Sequence, residues 1–467
     1  MRSFIIISLC LFSNYAFTAD SLSTKISHHY DSMRALGMGN AFTAVADDYS
    51  LIYYNPAGFA HKKSNEVQFS IVGAGVSPKT MTLMKDIKTA SDTTGTDQQK
   101  AQAISDVLEQ YYGKALGGKL QALELFWIRK NWGVSLIPAD LSIDLTIDRQ
   151  LGPAIDLNIK GDTTLAYGYG AEVAPRVSVG ATAKFVHRVS VEQSVSALEL
   201  SSDPDVLSSK RFKEGQLIDF DIGVLWTPNW FGQTLETEEM PVGLKVESKL
   251  PPTNDEKKLE EKKRDPQPAS AASGDKSKAD SLSLDDEAKD PKKVDAKDSK
   301  KIEVNKPEEK VIEKMVVKET FKDNLPLTLG ATIHNVIGGS FAKSKMVNKD
   351  ATDAPTKMYR VIDLGSQYVL REFGSLTIRS MLDFRDLLHP EVTFNKSFHA
   401  GIEADYSPNG WFKSQLRAGI NQMYYTAGAT LLLGVVNIDF VTYGEEVGTT
   451  SEKIENRVYA AKLGMNF

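Results

Sequence analysis

The sequence predicts an all-β membrane protein: an antiparallel transmembrane β-barrel of about fourteen strands, with an N-terminal plug and a disordered, charged insertion. Three observations carry this expectation. Runs of about 10–14 residues with period-two apolarity recur along the chain, and successive side chains of a strand point to opposite faces. The connections between these runs alternate between very short turns and longer polar segments. No stretch beyond the N-terminal leader approaches the roughly 20 apolar residues a transmembrane helix needs. Within a bilayer that leaves a closed barrel as the way to satisfy backbone polar groups. A chain of 467 residues is long enough for one large barrel, and its net charge of −6 gives no basic footprint for nucleic acid.

At the N-terminus, Met1-Arg2-Ser3 precedes the apolar run Phe4 to Phe12, and Tyr15-Ala16-Phe17-Thr18-Ala19 follows. A short basic start, an apolar core and small residues at its end predict a secretory signal peptide over 1–19, cleaved after Thr18 or Ala19. Cys10, the only cysteine, lies inside that run, so the exported chain has no thiol for a disulfide or a metal.

Residues 20–65 are expected to form the plug. Their centre reads Arg34-Ala35-Leu36-Gly37-Met38-Gly39-Asn40-Ala41, then Ala46-Asp47-Asp48, then Tyr53-Tyr54-Asn55-Pro56-Ala57-Gly58. Asn-Pro followed by Ala-Gly is a turn signal. Asp47-Asp48 suits the N-cap and first turn of a short helix ended by Asn55-Pro56. Gly37-x-Gly39 is not a nucleotide loop, because no third glycine follows in a strand–loop–helix context. The pattern resembles the N-terminal signature of the FadL- and PorV-type outer-membrane proteins, R-x-L-G-M-G-x-A, A-D-D and Y-Y-N-P-A-G. The resemblance implies a segment folded inside a barrel as a plug that either gates the pore or only fills it. The signature positions Arg34, Gly37, Gly39, Asp47, Asp48, Asn55, Pro56 and Gly58 are the candidate plug and gate residues.

Strands are expected near 66–76, 119–129, 131–149, 154–173, 175–193 and 214–227, the first part of the barrel (66–227). The second part (325–467) continues near 325–336, 357–370, 374–386, 396–406, 411–421, 424–433, 435–447 and 455–467. If the first strand rises from the periplasm, the short turns fall on the periplasmic side and 77–118, 194–213, 337–356 and 387–395 on the outside, as such barrels require. Within 77–118, residues 99–113 look helical, with Ala103, Ile104, Val107, Leu108 and Tyr111 on one face, and suit a lid on the outer rim. The segment 228–324 breaks the rule of short turns. From Pro251 to Thr320 it has 18 acidic and 17 basic residues and no aromatic residue, a composition expected to be disordered or loosely helical. Strand parity hangs it in the periplasm, either as a docking arm for peptidoglycan or another periplasmic partner, or as a solvated insertion with none. The terminal run places Tyr459, Ala461, Leu463, Met465 and Phe467 on one face. A last strand ending on Phe467 with Tyr459 is similar to the signal by which outer-membrane barrels engage their assembly machinery.

Alternation also turns charges inward: Lys184 and Arg188 towards Asp219 and Asp221, and Arg379, Asp383 and Arg385 towards Glu403 and Asp405. These rows are either structural ladders that hold the barrel and anchor the plug, or a site where Arg grips a carboxylate head group bidentately. No cofactor, metal or catalytic site is expected. The seven histidines are scattered, with His28-His29 in a presumed mobile N-terminus, and a triad of Ser178, His187 and Asp219 fails because His187 alternates onto the lipid face and Ser178 does not. The resemblance implies a monomer in the outer membrane, in contact with lipid, that passes hydrophobic solutes such as long-chain fatty acids. The alternatives are a PorV-like secretion component handling exported proteins, or a structural barrel with a periplasmic docking arm.

Overall fold

A computed structural model describes residues 25–92, 94–148, 154–196, 211–244, 312–323, 325–351, 353–448 and 453–467. The expected signal peptide, and residues 245–311 of the charged insertion, lie outside the described residues. The barrel strands are β1 (Glu66–Val76), β2 (Ala115–Arg129), β3 (Trp132–Asp148), β4 (Ala154–Ala174), β5 (Val177–Ser196), β6 (Lys213–Trp226) and β9 (Leu327–His334). They continue with β11 (Val361–Phe373), β12 (Leu376–Leu387), β13 (Phe398–Asn409), β14 (Phe412–Asn421), β15 (Tyr424–Leu433), β16 (Val436–Glu446) and β17 (Glu455–Asn466). Every neighbouring pair is antiparallel. β1 pairs with β17, and β6 pairs with β9, so the fourteen strands close on themselves. A two-residue strand, β10 (Ala342–Lys343), sits on the edge of β6.

The inward and outward faces follow the period of two. On β6, Ile218, Phe220, Ile222, Val224 and Trp226 are exposed while Asp219 and Asp221 are buried. On β17, Tyr459, Leu463 and Phe467 are exposed and Val458 and Lys462 are buried. Phe467 also exchanges main-chain hydrogen bonds with Val67, so the last residue helps to zip the barrel shut. Exposed aromatic residues gather at one end: Trp127, Tyr167, Tyr169, Trp226, Trp230, Phe373, Tyr406 and Trp411. Such a girdle above a band of outward Leu, Ile and Val is how a barrel meets a membrane interface. Most of the tight connections lie at the same end, and in them Asn131, Arg176, Gly374 and Gly434 take the left-handed conformation that two-residue hairpins require, whereas the tight Gln422-Met423 turn joins β14 to β15 at the other end.

Opposite lies the long-loop end. There β2–β5, of 15, 17, 21 and 20 residues, extend well past the 9–11 residues or so that a tilted strand needs to cross a bilayer. Two helices, Pro78–Ser91 and Asp97–Glu109, pack on this extension, where the sequence led us to expect a single helix at 99–113. The second helix starts at a capping box formed by Thr96 and Gln99. Its Ile104 and Leu108 meet Leu83, Tyr111, Leu116 and Ile147 in an apolar cluster, so the expected helical face is the one that packs.

The insertion departs from expectation at its two ends. Residues Gln233–Leu244 (β7) and Ile312–Asp323 (β8) pair as a two-stranded sheet in a separate compact unit. The β-branched and aromatic residues of Ile312-Glu313-Lys314-Met315-Val316-Val317-Lys318-Glu319-Thr320-Phe321 favour a strand. The charge count over the whole segment concealed them. The roots of the insertion lie at the short-turn end, where Trp226 pairs with Leu329.

Replacing Leu108 with Asp places a charge in the rim cluster. The expected outcome is faster proteolysis across 78–112 with the barrel's heat-dependent gel shift unchanged; loss of that shift would mean that the helices are part of the barrel's own stability.

Candidate functional site

Residues 25–65 fill the lumen. The first described residues run past the long-loop end of the strands, and the segment then descends to His61 near the short turns. Its structure is mostly tight turns: a helix at Met33–Gly37, another at Leu51–Tyr54 and a 3-10 turn at Pro56–His61. Asp47-Asp48 does not cap the second helix as expected. Ser50 holds the N-cap position, and Asp48 instead accepts from the Ser50 N–H and hydroxyl in a local turn. The predicted stop is in place, because Asn55 caps Pro56–His61 by accepting from Ala57 N–H.

The plug seats on glycines of the wall, which the sequence reading did not single out. Inward-facing Gly170 and Gly180 lie against Pro56, Gly133 and Gly168 against Phe59, and Gly223 against Asn55. Gly401 and Gly419 lie against Met38 and Gly39, and Gly428 against Gly37. On Gly39 (φ +68°), a side chain would run into the carbonyls of Ala400 and Ile420, and on Gly58 into that of Ala46. Main-chain groups of the plug are then satisfied by wall side chains. Asp383 accepts from Phe42 N–H (2.8 Å) and Thr43 N–H (2.7 Å), Arg385 donates to Asn40 O, and Thr182 donates to Ile52 O. Asn55 Nδ2 donates to Thr43 O within the plug and to Val224 O on β6.

One cluster ties the signature to the wall. Arg34 grips Glu403 with two hydrogen bonds (2.8 and 2.7 Å) and also reaches Asp47 (2.5 Å) and Asp48 (3.1 Å). Arg379 bonds Asp47 (2.7 Å) and Arg417 bonds Glu403 (3.0 Å), so three guanidinium groups share one fully buried carboxylate and its neighbours. The Arg34 and Arg379 guanidinium groups beside Asp47 hold its carboxyl well below the usual range.

The other predicted charges are inside, with partners that differ in part. Lys184 pairs with Asp221 (2.7 Å) as expected. Arg188 does not face Asp219; it turns to Asp162 on β4 (2.6 Å). Asp219 accepts from the N–H groups of Ile337 and Gly339. Arg385 meets Asp363 on β11 (2.9 Å), not Glu403 or Asp405, and Asp405 binds Lys413 and Gln415 near the short turns. Alternation gives the face of each residue but not its height, and diagonal neighbours on either side compete for a charge.

The N-terminal segment is held, not mobile. His28 lies 2.9 Å from Asp386, His29 bonds Asn335, Lys25 spans Asp144 and Glu445, and Asp31 pairs with Lys119. Tyr30 accepts from Lys462, which pairs with Glu124. Burial opposes the charge on His28, but Asp386 and Asp31 outweigh it and raise its pKa to about 10. Ser178 has a histidine partner in His61, not His187, but it is fully buried and out of reach of a substrate. Among the described residues no group of three His, Cys, Asp or Glu side chains is arranged to hold a metal ion.

Two features of this interior bear on passage of a solute. The cavities behind the N-terminal segment are small, about 40 Å³ each, and lined by charge: Lys25, Asp31, Lys119, Asp140 and Asp144 in one, His28, His29, Lys184, Asp221 and His334 in the other. Level with the aromatic cluster of Tyr30, Tyr49 and Tyr53 from the plug and Phe126 from β2, the wall is irregular. The β1–β17 register shifts between Ser70 and Val72, Leu123 on β2 has φ +57°, and the β3–β4 register shifts between Ile137 and Asp140, around Pro138, which has no N–H to give.

A closed barrel with an apolar exterior and a lumen filled by its own N-terminal segment defines a plugged transmembrane β-barrel. Comparison with protein-family models and with curated proteins finds no match. Among solved structures, the chain is similar to a CymD monoaromatic hydrocarbon channel (8% identity, TM-score 0.41, covering 95% of this chain and 98% of that one). It is similar also to the Ralstonia pickettii toluene transporter TbuX (10%, 0.37, 92% and 96%) and to a Pseudomonas aeruginosa FadL homologue (11%, 0.32, 93% and 96%). Values this low transfer nothing from those proteins to this chain.

Two outcomes test the site. Glu403→Ala removes the buried carboxylate shared by Arg34, Arg379 and Arg417, leaving Arg34 and Arg379 only Asp47 and Asp48, and is expected to cost about 3–5 kcal/mol, as for other broken buried pairs; the urea concentration that exposes the plug to protease should fall while the barrel stays folded. The raised pKa of His28 stabilises the docked segment fully below about pH 6.5, the undocked value, and that contribution is lost as pH rises through about 10. A nitroxide at Ser27→Cys should therefore gain mobility between pH 7 and 10, and His28→Gln should abolish the step.

Proposed function

We propose that this protein carries hydrophobic solutes across an outer membrane, and that the solute leaves sideways through the irregular wall beside the plug. The observation that supports this most is the line of interrupted pairing from β17 through β1 and β2 to β4. Backbone groups in a lipid-facing wall are ordinarily paired without a break, because an orphan is costly there. The irregularity lies where Leu123, 54% exposed, and Leu125 face outward, with Glu124, Phe126 and the plug aromatics directly inside. Outward side chains there are apolar, and the plug aromatics line the inside beside the Glu124–Lys462 pair, so an apolar molecule that reaches them passes one ion pair on the way out. With the short turns taken as periplasmic, the helical rim faces outward, the plug's Pro56–His61 turn lies on the periplasmic side, and the roots of the charged insertion also face the periplasm. The insertion then acts as an arm towards the cell wall or a periplasmic partner.

Pro138→Val supplies the missing N–H and favours an unbroken ladder between β3 and β4. Uptake of a fluorescent long-chain fatty acid by proteoliposomes is expected to fall several-fold, with the barrel's gel shift intact. Mass spectrometry of lipid carried by protein purified in mild detergent, with Asn55→Ala alongside, checks the substrate class. Absence of any enriched acyl or aromatic ligand, together with no uptake above empty vesicles, would sink the transport reading.

A further inference from the structure

The two rim helices lie on the flank of the barrel and not across its mouth. Their apolar cluster takes in Leu116 of β2, Leu145 and Ile147 of β3 and Ile155 of β4. Lys119 on β2, Asp140 and Asp144 on β3 and Lys160 on β4 line a lumen cavity, so alternation turns those four apolar residues outward. The aromatic girdle at the short-turn end sets the height of the helices. A tilted strand crosses a bilayer in about 9–11 residues. Counted from Trp127, Trp132 and Tyr167, that distance ends at residues 116–118, 141–143 and 156–158. The first helix, Pro78–Ser91, is pinned at this level. The Ser77 N–H and the Thr80 hydroxyl donate to Gly117 O (2.9 and 3.2 Å), and Gly117 N–H donates back to Thr80 (2.8 Å). The helix therefore lies outside the wall where the strands leave the lipid.

One face of this helix is packed, with Thr80, Leu83 and Ala90 buried. The other is open. Met81 and Met84 are 64% and 65% exposed, and Lys79, Lys85 and Lys88 are exposed beside them. At 3.6 residues per turn, Met81, Met84, Lys85 and Lys88 share one side of the helix, with Lys79 in its first turn. Among the described residues, the ammonium groups of these three lysines have no ion pair or hydrogen bond. Asp86, on the same helix, is occupied by the Tyr111 hydroxyl (2.9 Å), and Asp92 stands at the far end. The second helix differs in charge: it carries Asp97, Asp106 and Glu109 with Lys100 alone. Free cations are thus gathered on the helix pinned at the lipid boundary. Unbranched methionine adapts to an irregular apolar surface, and a lysine stem lies along such a surface while its ammonium reaches outward. A helix face that mixes the two suits the level where acyl chains meet phosphates.

We propose that Lys79, Lys85 and Lys88, with Met81 and Met84 between them, form a docking face for a phosphorylated lipid headgroup of the leaflet at the long-loop end. The ammonium groups bind its phosphates and the methionines enter the top of its acyl chains. This face does not rest on the transport reading. Nanodiscs holding the full-length barrel test it, because both leaflets carry the same lipid and the orientation of the barrel drops out. The discs are made of phosphatidylcholine alone or with phosphorylated lipid A added. A polarity-sensitive fluorophore is placed at Met84→Cys and, on the exposed side of the second helix, at Gln102→Cys. With lipid A the Met84 probe should shift to the blue and be quenched by a spin-labelled lipid, while the Gln102 probe stays water-like. A Met84 signal equal to that of Gln102 overturns the docking. A Met84 signal just as blue in phosphatidylcholine alone assigns the face to acyl chains and overturns the phosphate site. In the second arm, lipid A is titrated against the same probe. The fraction giving half of the shift should rise several-fold when Lys79→Gln, Lys85→Gln and Lys88→Gln are combined, and also at high salt. The control combines Lys343→Gln, Lys345→Gln and Lys349→Gln, all exposed on the segment after β9, and should leave that fraction unchanged. An equal rise in both sets, in protein whose gel shift shows an intact barrel, reports overall charge and overturns the site.

Discussion

Filling a closed barrel without stranding a charge is the constraint on which this structure depends. A wall of fourteen strands encloses more volume than its own inward side chains occupy, and water in that space would leave an open pore. The N-terminal segment takes the space instead, but its turns expose main-chain N–H and C=O groups that helices and sheets would have paired internally. Each such group needs a partner from the wall. Asp383, Arg385, Thr182 and Thr426 fill that role, Asn55 of the plug donates in turn to Val224 O of the wall, and the Arg34–Glu403 pair with Arg379 and Arg417 joins the two layers ionically.

This arrangement explains why small residues and charges alternate on the inner face. A glycine on the wall lets the plug backbone approach closely, and a charged residue two positions along reaches a polar group of the plug. Gly401, which lies against Met38, with Glu403, which binds Arg34, is such a combination. The charges are therefore structural first. Replacing such a network with apolar residues is often neutral or stabilising elsewhere. In a lumen that must release its plug or admit a solute, however, charged contacts have the advantage that water can replace them.

The wall is not uniform. Bulges also interrupt the β4–β5, β11–β12 and β13–β14 ladders, but two sectors stand out: the bulged region from β17 to β4 beside the plug aromatics, and the β6–β9 seam, which registers over five pairs. Both lie in the band where outward side chains are apolar, so both place weakly paired backbone next to lipid. A rigid scaffold with localised weak joins allows local opening without loss of the fold.

Period-two patterning, turn chemistry and loop-length parity were legible along the chain, and they determine the strand count, the faces and the closure of the last strand on Phe467. The signature around Arg34 and Asn55-Pro56 likewise marked the plug before any contact was known. Tertiary structure alone decided which charge meets which: Arg188 chose Asp162 over Asp219, and Arg385 chose Asp363 over Glu403, because stagger and plug position set heights that alternation does not encode. It also decided that His28 and His29 are anchored inside, since their partners Asp386 and Asn335 lie more than 300 residues away. The plug's seat on ten or so separated glycines and the short β6–β9 seam follow from closure of the sheet. That is a property of all the strands together, and no single stretch of sequence carries it.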